Sequence, residues 1–411
     1  MMVILANPGI RRTVTPPHFL ADLYSFKWSA FSFRVPLVSA TTVAICLFTG
    51  VLTGHPGGGL IAGGGAFTVA FGANQRIADS RLIPMIFAVL AISSATLVGT
   101  LAGHKDYWLV IAAGLAAFIY GMLTTRNSGL SWVGQQASIA LLVASAFPTG
   151  PKLAFLRAGL IAAGGALQTI LTSAGLRLLP NLRKDLLAIP LHIFNSVQDR
   201  DRELVRRLRR LPQALPCCSD RAALAYSLRL VLTICLATEV YRRLGMQSGY
   251  WIPMTALLVQ KPVFYETLTR AAARILGTLG GAWICSLLIA HLAPRPVTLA
   301  AATTLFALLA FATNPVNYAL FTTCVTAYIV FLLSLNAIPA PVIAHRRAWC
   351  TIVGGLIALL FHLDALLRHH SGRNIRSERK PYNRGPSREF MDEFRHSFRS
   401  MCDVRCRGCA K

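Results

Sequence analysis

The stretch that decides the fold runs from Tyr250 to Cys285 and reads YWIPMTALLVQKPVFYETLTRAAARILGTLGGAWIC. Its first part, as far as Gln260, carries no charge, and a short charged hairpin and a glycine-rich apolar segment follow it. Arg270 and Arg274 are four residues apart, so on a helix they share one face and would meet anionic headgroups, a carbonyl group or an anion. The stretch therefore predicts a membrane protein with a basic hairpin beside a membrane segment.

Two glycines in the same stretch have the spacing of a helix contact. Gly277 and Gly281 are also four residues apart, which lets a neighbouring helix approach closely. Plain helix packing is the favoured interpretation of the glycines. For Arg270 and Arg274 two interpretations stay open, namely anchoring to lipid headgroups and contact with a transported anion.

The stretch resembles the fusaric-acid-resistance and aromatic-acid-exporter (FUSC-like) family of inner-membrane proteins. The family motif reads Y-W-x-P-(M/L)-T, an apolar run, and then T-x-x-R-x-x-x-R-x-x-G-T-x-x-G. The matching positions are Tyr250, Trp251, Pro253, Thr255, Thr267, Arg270, Arg274, Gly277, Thr278 and Gly281. The resemblance implies export of small, often aromatic, carboxylic acids or related toxic compounds, driven by the proton gradient and sometimes assisted by a periplasmic adaptor subunit.

The composition of the whole chain is that of a polytopic membrane protein. Of its 411 residues, 54% are hydrophobic and 14% are charged, and the mean hydropathy is +0.54, which is too apolar for a soluble domain. The net charge of +25 lies in loops, in a central linker and in the tail, as expected of segments that face the cytoplasm. A membrane role is therefore favoured over nucleic-acid binding. No signal-peptide core precedes the first apolar run, so the first span is expected to direct insertion.

The apolar runs predict an all-α protein of about twelve transmembrane helices in two parallel six-helix repeats. The expected spans are near 35–54, 58–73, 82–103, 107–124, 129–147, 158–178, 222–241, 249–263, 275–293, 297–312, 316–336 and 347–367. The predicted segments are a cytoplasmic N-terminal segment 1–33, a first repeat 34–180, a basic cytoplasmic linker 181–221, a second repeat 222–367 and a basic, disordered tail 368–411. An even number of spans in each half places both termini on the same side and both halves the same way up, and the arginines and lysines of the inside loops predict that this side is the cytoplasm.

Two further patterns concern the inside of the predicted bundle. The second span is rich in glycine, and a tightly packed helix is favoured over a broken, substrate-facing one. Six arginines open corresponding spans of the two halves at nearly constant offsets: Arg34, Arg81 and Arg157 in the first half, and Arg229, Arg274 and Arg347 in the second. An internal duplication is the economical explanation. With a cytoplasmic N-terminus, the segment 261–274 is an inside loop, whereas Arg242–Arg243 and Arg346–Arg347 fall near the outside or sit within the protein.

The candidate substrate-binding residues are Arg229, Arg270, Arg274, Tyr250, Trp251 and Thr255. A guanidinium group binds a carboxylate through two parallel hydrogen bonds while an aromatic ring stacks on the ring of the substrate. For the aromatic pair, the alternative is anchoring at the lipid–water interface. Glu239 is the candidate proton-coupling group, and its alternative role is an ordinary ion pair with Arg242 or Arg243.

No cofactor, metal site or catalytic set is predicted, so the chain is expected not to be an enzyme. Cys402, Cys406 and Cys409 have the spacing C-x3-C-x2-C, but the absence of a supporting fold around them argues against a metal site. The predicted partners are a small organic anion, the lipid bilayer, a periplasmic adaptor subunit and a second copy of the chain. Two other functions stay open: an anion channel, and a membrane scaffold or envelope-assembly protein whose basic linker and tail recruit partners or anionic lipid.

Overall fold

The computed structural model describes residues 25–77, 80–103, 107–124, 126–178, 221–246, 248–291, 295–336 and 339–377. Within these ranges the chain forms twelve α-helices and no β-strand, which confirms the all-α prediction. The helices are α1 (Arg34–Leu52), α2 (Pro56–Ala70), α3 (Leu82–Ala102), α4 (Tyr107–Thr124), α5 (Ser128–Ser145), α6 (Pro151–Leu178), α7 (Arg221–Leu244), α8 (Trp251–Val259), α9 (Phe264–His291), α10 (Pro296–Thr313), α11 (Tyr318–Ser334) and α12 (Ala340–Ser377).

Each predicted span overlaps one of these helices. Eight of them, α1, α3, α4, α6, α7, α9, α10 and α12, are long and apolar enough to cross a membrane by length and composition. Large apolar side chains such as Leu90, Trp108 and Trp283 are exposed on these helices, as expected of surfaces that face lipid. The protein is therefore a multi-pass membrane protein, while the total of twelve spans stays a prediction.

Three predicted boundaries around the decisive stretch are wrong. Helix α8 has only nine residues, about 14 Å, so it does not span a bilayer alone as 249–263 was expected to do. Helix α9 begins at Phe264, and the segment predicted as an inside loop is therefore mostly helical. Helix α12 begins at Ala340, which places Arg346 and Arg347 inside a helix. For α9 and α12, charged residues bounded the apolar run in the sequence without ending the helix.

The predicted tail also needs a correction at its start. Helix α12 continues to Ser377, past the expected boundary at 368. The chain divides into two compact units after His362, and residues 363–377 of the second unit are helical. Residues 181–220 and 378–411 lie outside the described residues, and with them most of the predicted linker and the cysteine pattern of the tail.

The same pairs of helices pack together in the two halves. In the first half α1 packs on α2, α2 on α6, α3 on α5, and α4 on α5. The corresponding pairs in the second half are α7 with α8, α8 with α12, α9 with α11, and α10 with α11. Between the halves, α4 packs on α7 and α10 packs on α1. These two contacts are equivalent, because each joins the fourth helix of one half to the first helix of the other. This packing supports the predicted duplication.

Close packing of α2 depends on its glycines. The helix is continuous over Pro56–Ala70 and ends in a short 3-10 turn, so it is not broken. A Cβ atom on Gly65 would lie 2.6 Å from the carbonyl oxygen of Ile161 in α6, a distance that no side chain tolerates. The tightly packed alternative for the second span is therefore confirmed.

Candidate functional site

One buried face of α9 carries a cation. Arg274, Thr278, Gly281 and Cys285 follow each other at intervals of four, three and four residues, so they line one face of the helix. Arg274 is 3% exposed and Thr278 is 1% exposed. This face packs on α11, where a Cβ on Gly281 would lie 2.5 Å from the backbone oxygen of Thr323. Arg274 therefore lies inside the helix bundle and does not face lipid headgroups.

The first residue of α11 brings the two predicted arginines of α9 together. The guanidinium carbon of Arg270 lies 3.5 Å from the centroid of the Tyr318 ring, a cation–π contact. Nη1 of Arg274 donates a hydrogen bond to the hydroxyl of Tyr318 over 3.3 Å. The side chain of Asn317 accepts a hydrogen bond from the backbone N–H of Leu320 and so fixes the start of the helix that carries this tyrosine.

A third arginine, which the sequence analysis left out of the candidate site, is the most buried of the set. Arg347 on α12 is 1% exposed. Its Nε donates to Oγ1 of Thr326 over 3.2 Å, and its guanidinium carbon lies 4.1 Å from the centroid of the Trp251 ring. Within the described part of the chain, neither of its terminal nitrogens has a hydrogen-bond partner.

Arg274 and Arg347 form a buried pair of like charges. The two guanidinium groups interact electrostatically with each other. Among the described residues, neither of them has an acidic partner. An ion that is buried without a partner loses its hydration, and this lowers the stability of the fold by roughly several kcal/mol. This pair of arginines, with Trp251, Tyr318 and Thr326 around it, is called the arginine site below.

Of the aromatic residues predicted at the start of α8, Trp251 belongs to this site and Tyr250 packs beside it. Tyr250 and Trp251 are each 4% exposed, so the alternative of interface anchors is wrong for both of them. Their rings lie 4.7 Å apart, and Trp251 stacks against Arg347. Burial follows because α8 packs against α7 and α12 and has no lipid-facing side at this end.

Two buried threonine hydroxyls lie next to the arginine site on the same faces of α8 and α9. Thr255 lies one turn beyond Trp251 on α8, and Thr278 lies one turn beyond Arg274 on α9. Both hydroxyl oxygens are buried, and neither has a hydrogen-bond partner among the residues the structure describes. They are polar groups with unused hydrogen-bonding capacity, as a site for a small polar ligand requires.

Arg229 is not part of the arginine site. Its Nη1 lies 3.3 Å from Nδ1 of His362 on α12, and its side chain is half-buried on α7. Nε2 of the same histidine lies 3.1 Å from Oγ1 of Thr267 at the start of α9. The predicted substrate role of Arg229 therefore stays a prediction, and in the structure this arginine connects α7 to α12.

Glu239 has the contacts of an ordinary ion pair. Its carboxylate accepts hydrogen bonds from Arg242 at 2.8 Å and from Arg243 at 2.7 Å. These contacts match the alternative role given in the sequence analysis, an ion pair with Arg242 or Arg243. The proton-coupling role of Glu239 stays a prediction.

We expect Glu239→Gln to leave the rate of any transport and its pH dependence unchanged, because partly exposed ion pairs contribute little. The exposed Glu266 on α9 offers the matched control, Glu266→Gln. Transport in membrane vesicles at several pH values would measure both variants. A loss of pH dependence in Glu239→Gln alone would return the proton-coupling role to this residue.

The substrate-binding residues predicted from the sequence did not include Arg347, Tyr318, Thr326 or His362. A signal was present for Arg347, which stands at a fixed distance before a Gly-Gly pair, as Arg157 does in the first half. The equivalent residues differ in their surroundings, since Arg157 is half-buried and donates to the backbone carbonyl of Phe147. In the ranges that the structure describes, no group of three or more His, Cys, Asp and Glu side chains could hold a metal ion.

Comparison with known proteins places the arginine site within one family region. Residues 234–361 match the family described as fusaric acid resistance protein-like, and this range contains Arg270, Arg274 and Arg347 but not Arg229. No solved structure matches the chain.

Three curated proteins are similar to parts of the chain. Uncharacterized protein ORF2 of Neisseria gonorrhoeae is 31% identical over 137 residues, which cover 32% of this chain and 32% of that protein. Uncharacterized protein slr1298 of Synechocystis sp. is 26% identical over 172 residues, or 41% of this chain and 23% of that protein. Inner membrane protein YccS of Escherichia coli is 36% identical over 62 residues, or 15% of this chain and 9% of that protein. The matches thus span at most 32% of the length of these relatives.

Proposed function

Because residues 234–361 match a fusaric acid resistance protein-like region in a multi-pass membrane protein, we propose that the chain exports small aromatic carboxylic acids or related toxic anions. The observation that carries this proposal is the arginine site. Two nearly fully buried guanidinium groups lie together inside the bundle, and no acidic residue of the described chain neutralises them. A transported anion supplies the missing negative charge.

The geometry of the arginine site favours a carboxylate attached to a ring. Nη1 and Nη2 of Arg347 are the two nitrogens that form parallel hydrogen bonds with a carboxylate, and neither is used by the described residues. Trp251 and Tyr318 present aromatic faces to the arginines, and rings of this kind also stack on an aromatic substrate. A compact inorganic anion would use the charges but not the rings.

The proposed place of action is the cell inner membrane, with both termini in the cytoplasm. One similar protein is named an inner membrane protein, and the basic charge of the linker and tail is typical of cytoplasmic segments. Export is proposed to exchange substrate for protons, and a periplasmic adaptor or a second copy of the chain completes the exporter.

Arg274→Gln tests this function. Loss of a hydrogen bond to a charged group costs roughly 1.5–3 kcal/mol, so export of benzoate-type acids should fall by about tenfold to a hundredfold. The matched control is Arg81→Gln, which changes the exposed arginine at the corresponding place of the first half. Efflux of a panel of aromatic acids from preloaded cells, at equal membrane abundance, measures the effect.

Equal efflux from wild-type cells and from cells without the protein would reject export of that panel. Equal losses of efflux in Arg274→Gln and Arg81→Gln would contradict a role of the arginine site in transport, because a general effect of charge would then explain both losses.

An anion channel of similar architecture is the second candidate. The observation that favours it is that no acidic residue of the described chain lies at the arginine site to carry a proton, while the Glu239 carboxylate elsewhere is paired with Arg242 and Arg243. A channel predicts a sustained current of the same anions at fixed voltage. Exchange of an anion for a proton also moves net charge, so a proton-coupled exchanger predicts a current whose reversal potential shifts with the pH gradient, whereas that of a channel does not.

A further inference from the structure

A buried histidine connects three helices on the side of α12 that faces α7 and α9. His362 is 1% exposed, and its two ring nitrogens contact different helices. Nδ1 lies 3.3 Å from Nη1 of Arg229 on α7, and Nε2 lies 3.1 Å from Oγ1 of Thr267 on α9. The ring of Phe264 stands edge-on to the imidazole at 5.9 Å.

These contacts fix the tautomer of the histidine. A guanidinium group has only donors, so Nδ1 must accept the hydrogen bond from Arg229 and the ring proton must lie on Nε2. Nε2–H then donates to the hydroxyl of Thr267. That hydroxyl also accepts from the backbone N–H of Lys261 at 2.9 Å, and its own hydrogen points to the carbonyl of Lys261 or of Val263. Both ring nitrogens of His362 and the hydroxyl of Thr267 thus have partners when the imidazole is neutral.

A proton on Nδ1 breaks the network. Both ring nitrogens are donors in the protonated form, so Nδ1–H would face an N–H of Arg229, and two positive charges would stand about 3.3 Å apart. The groups that face the ring are Arg229 from α7, Thr267 and Phe264 from α9, and the backbone of Lys261 before α9. In the described residues no carboxylate is among them, so nothing offsets the new charge. The contact between α7 and α12 must then open.

We propose that His362 is the proton-binding group of the transporter and that its protonation releases Arg229, so that α7 changes its position relative to α12. The step is a simple proton transfer, in which the Nδ1 lone pair takes a proton from water and gives it back on the return. The inference rests on the proposed function for its link to export, and it assigns to His362 the role that the sequence analysis considered for Glu239. The proton and the substrate would bind at separate sites, because the arginine site contains neither His362 nor Arg229.

His362→Gln tests the proposal, because the glutamine amide still offers an acceptor to Arg229 and a donor to Thr267 but does not bind a proton at these pH values. The protein in proteoliposomes is given a gradient of one pH unit, and accumulation of labelled benzoate is compared with benzoate counterflow at equal pH on both sides. With the membrane potential held at zero, exchange of one entering benzoate for one leaving proton yields about tenfold accumulation in the wild type when the interior is one pH unit more acidic. In His362→Gln the accumulation should fall toward that of empty liposomes, while counterflow at equal pH is kept. The control is His345→Gln, which changes an exposed histidine of the same helix and should keep the wild-type accumulation.

Accumulation that stays near tenfold in His362→Gln would overturn the proposal. A wild type without any counterflow would instead reject the proposed function, and the histidine is then judged by a second measurement that needs no transport.

That measurement is thermal stability in detergent as a function of pH. Acidification should destabilise the wild type in one step, because the neutral imidazole is required by the folded contacts. The step should be absent in His362→Gln and smaller in Arg229→Met, which removes the repelling charge. Identical pH profiles in the wild type and His362→Gln would contradict the proposed proton site.

Discussion

Replacing Arg347 with methionine is expected to abolish binding of aromatic carboxylates and, at the same time, to make the protein more stable. The buried guanidinium lacks an acidic partner among the described residues, and methionine fills a similar volume without a charge. Replacement of buried charged groups by apolar ones often stabilises proteins by about 1–4 kcal/mol. The lost hydrogen bond to Thr326 and the lost stacking on Trp251 offset only part of this gain.

A rise in stability together with a loss of benzoate binding distinguishes a binding role of Arg347 from a purely structural one. A residue kept only for the fold lowers stability when it is removed, whereas a residue kept for binding at a cost to stability raises it. The measurements are the melting temperature of the purified protein in detergent and its increase on addition of benzoate. Arg346→Met is the matched control, because Arg346 is the exposed neighbour on the same helix and carries the same charge.

For Arg346→Met we expect the wild-type shift with benzoate. A lower melting temperature together with an unchanged benzoate shift in Arg347→Met would show that Arg347 supports the fold and not the substrate. The combination of Arg274→Gln with Arg347→Met should weaken binding by less than the sum of the single effects, because the two groups act on one anion.

Replacing Gly281 with alanine is expected to destabilise the second half of the bundle. A Cβ at this position would meet the backbone oxygen of Thr323 at 2.5 Å and the Cβ of Thr326 at 2.7 Å, so α9 and α11 would have to separate. Overpacking of this kind costs about 1–3 kcal/mol. Because Thr326 also holds Arg347, the same separation should weaken anion binding.

The adjacent Gly280 provides the control for this prediction. The nearest atom to a Cβ there is Oγ1 of Thr323 at 3.6 Å, an ordinary contact. Gly280→Ala should therefore keep the wild-type stability or raise it by up to about 1 kcal/mol, since alanine favours the helix. Melting curves of the two variants, recorded side by side, give the comparison. Equal stability of Gly281→Ala and Gly280→Ala would contradict the close contact of α9 with α11.

The helices were predictable because apolar runs of membrane length are a strong signal. The run at 107–124 has the same bounds as α4, and the glycine spacing at 277 and 281 marks residues that lie against α11. The boundaries of α9 and α12 failed for one physical reason. Arginines such as Arg274 and Arg347 end an apolar window, but a helix continues through them when they are buried against partner helices.

The arginine site was only half predictable for a related reason. Arg270 and Arg274 could be paired because a helix fixes the neighbours four residues apart. Their meeting with Tyr318, and the stacking of Arg347 on Trp251, depend on which helices pack together, and local spacing does not contain that information. The burial of Tyr250 also depends on helix packing, because an aromatic residue at the end of an apolar run is in itself typical of the membrane interface.

The most direct test of the central claim is counterflow of an aromatic acid in proteoliposomes that contain the purified protein. Liposomes loaded with unlabelled benzoate are diluted into labelled benzoate at equal pH, with the membrane potential held at zero. An exporter that uses the arginine site should accumulate the label transiently above equilibrium, and Arg347→Met should not, while Arg346→Met should match the wild type. Labelled benzoate that never rises above equilibrium in wild-type liposomes would contradict the account.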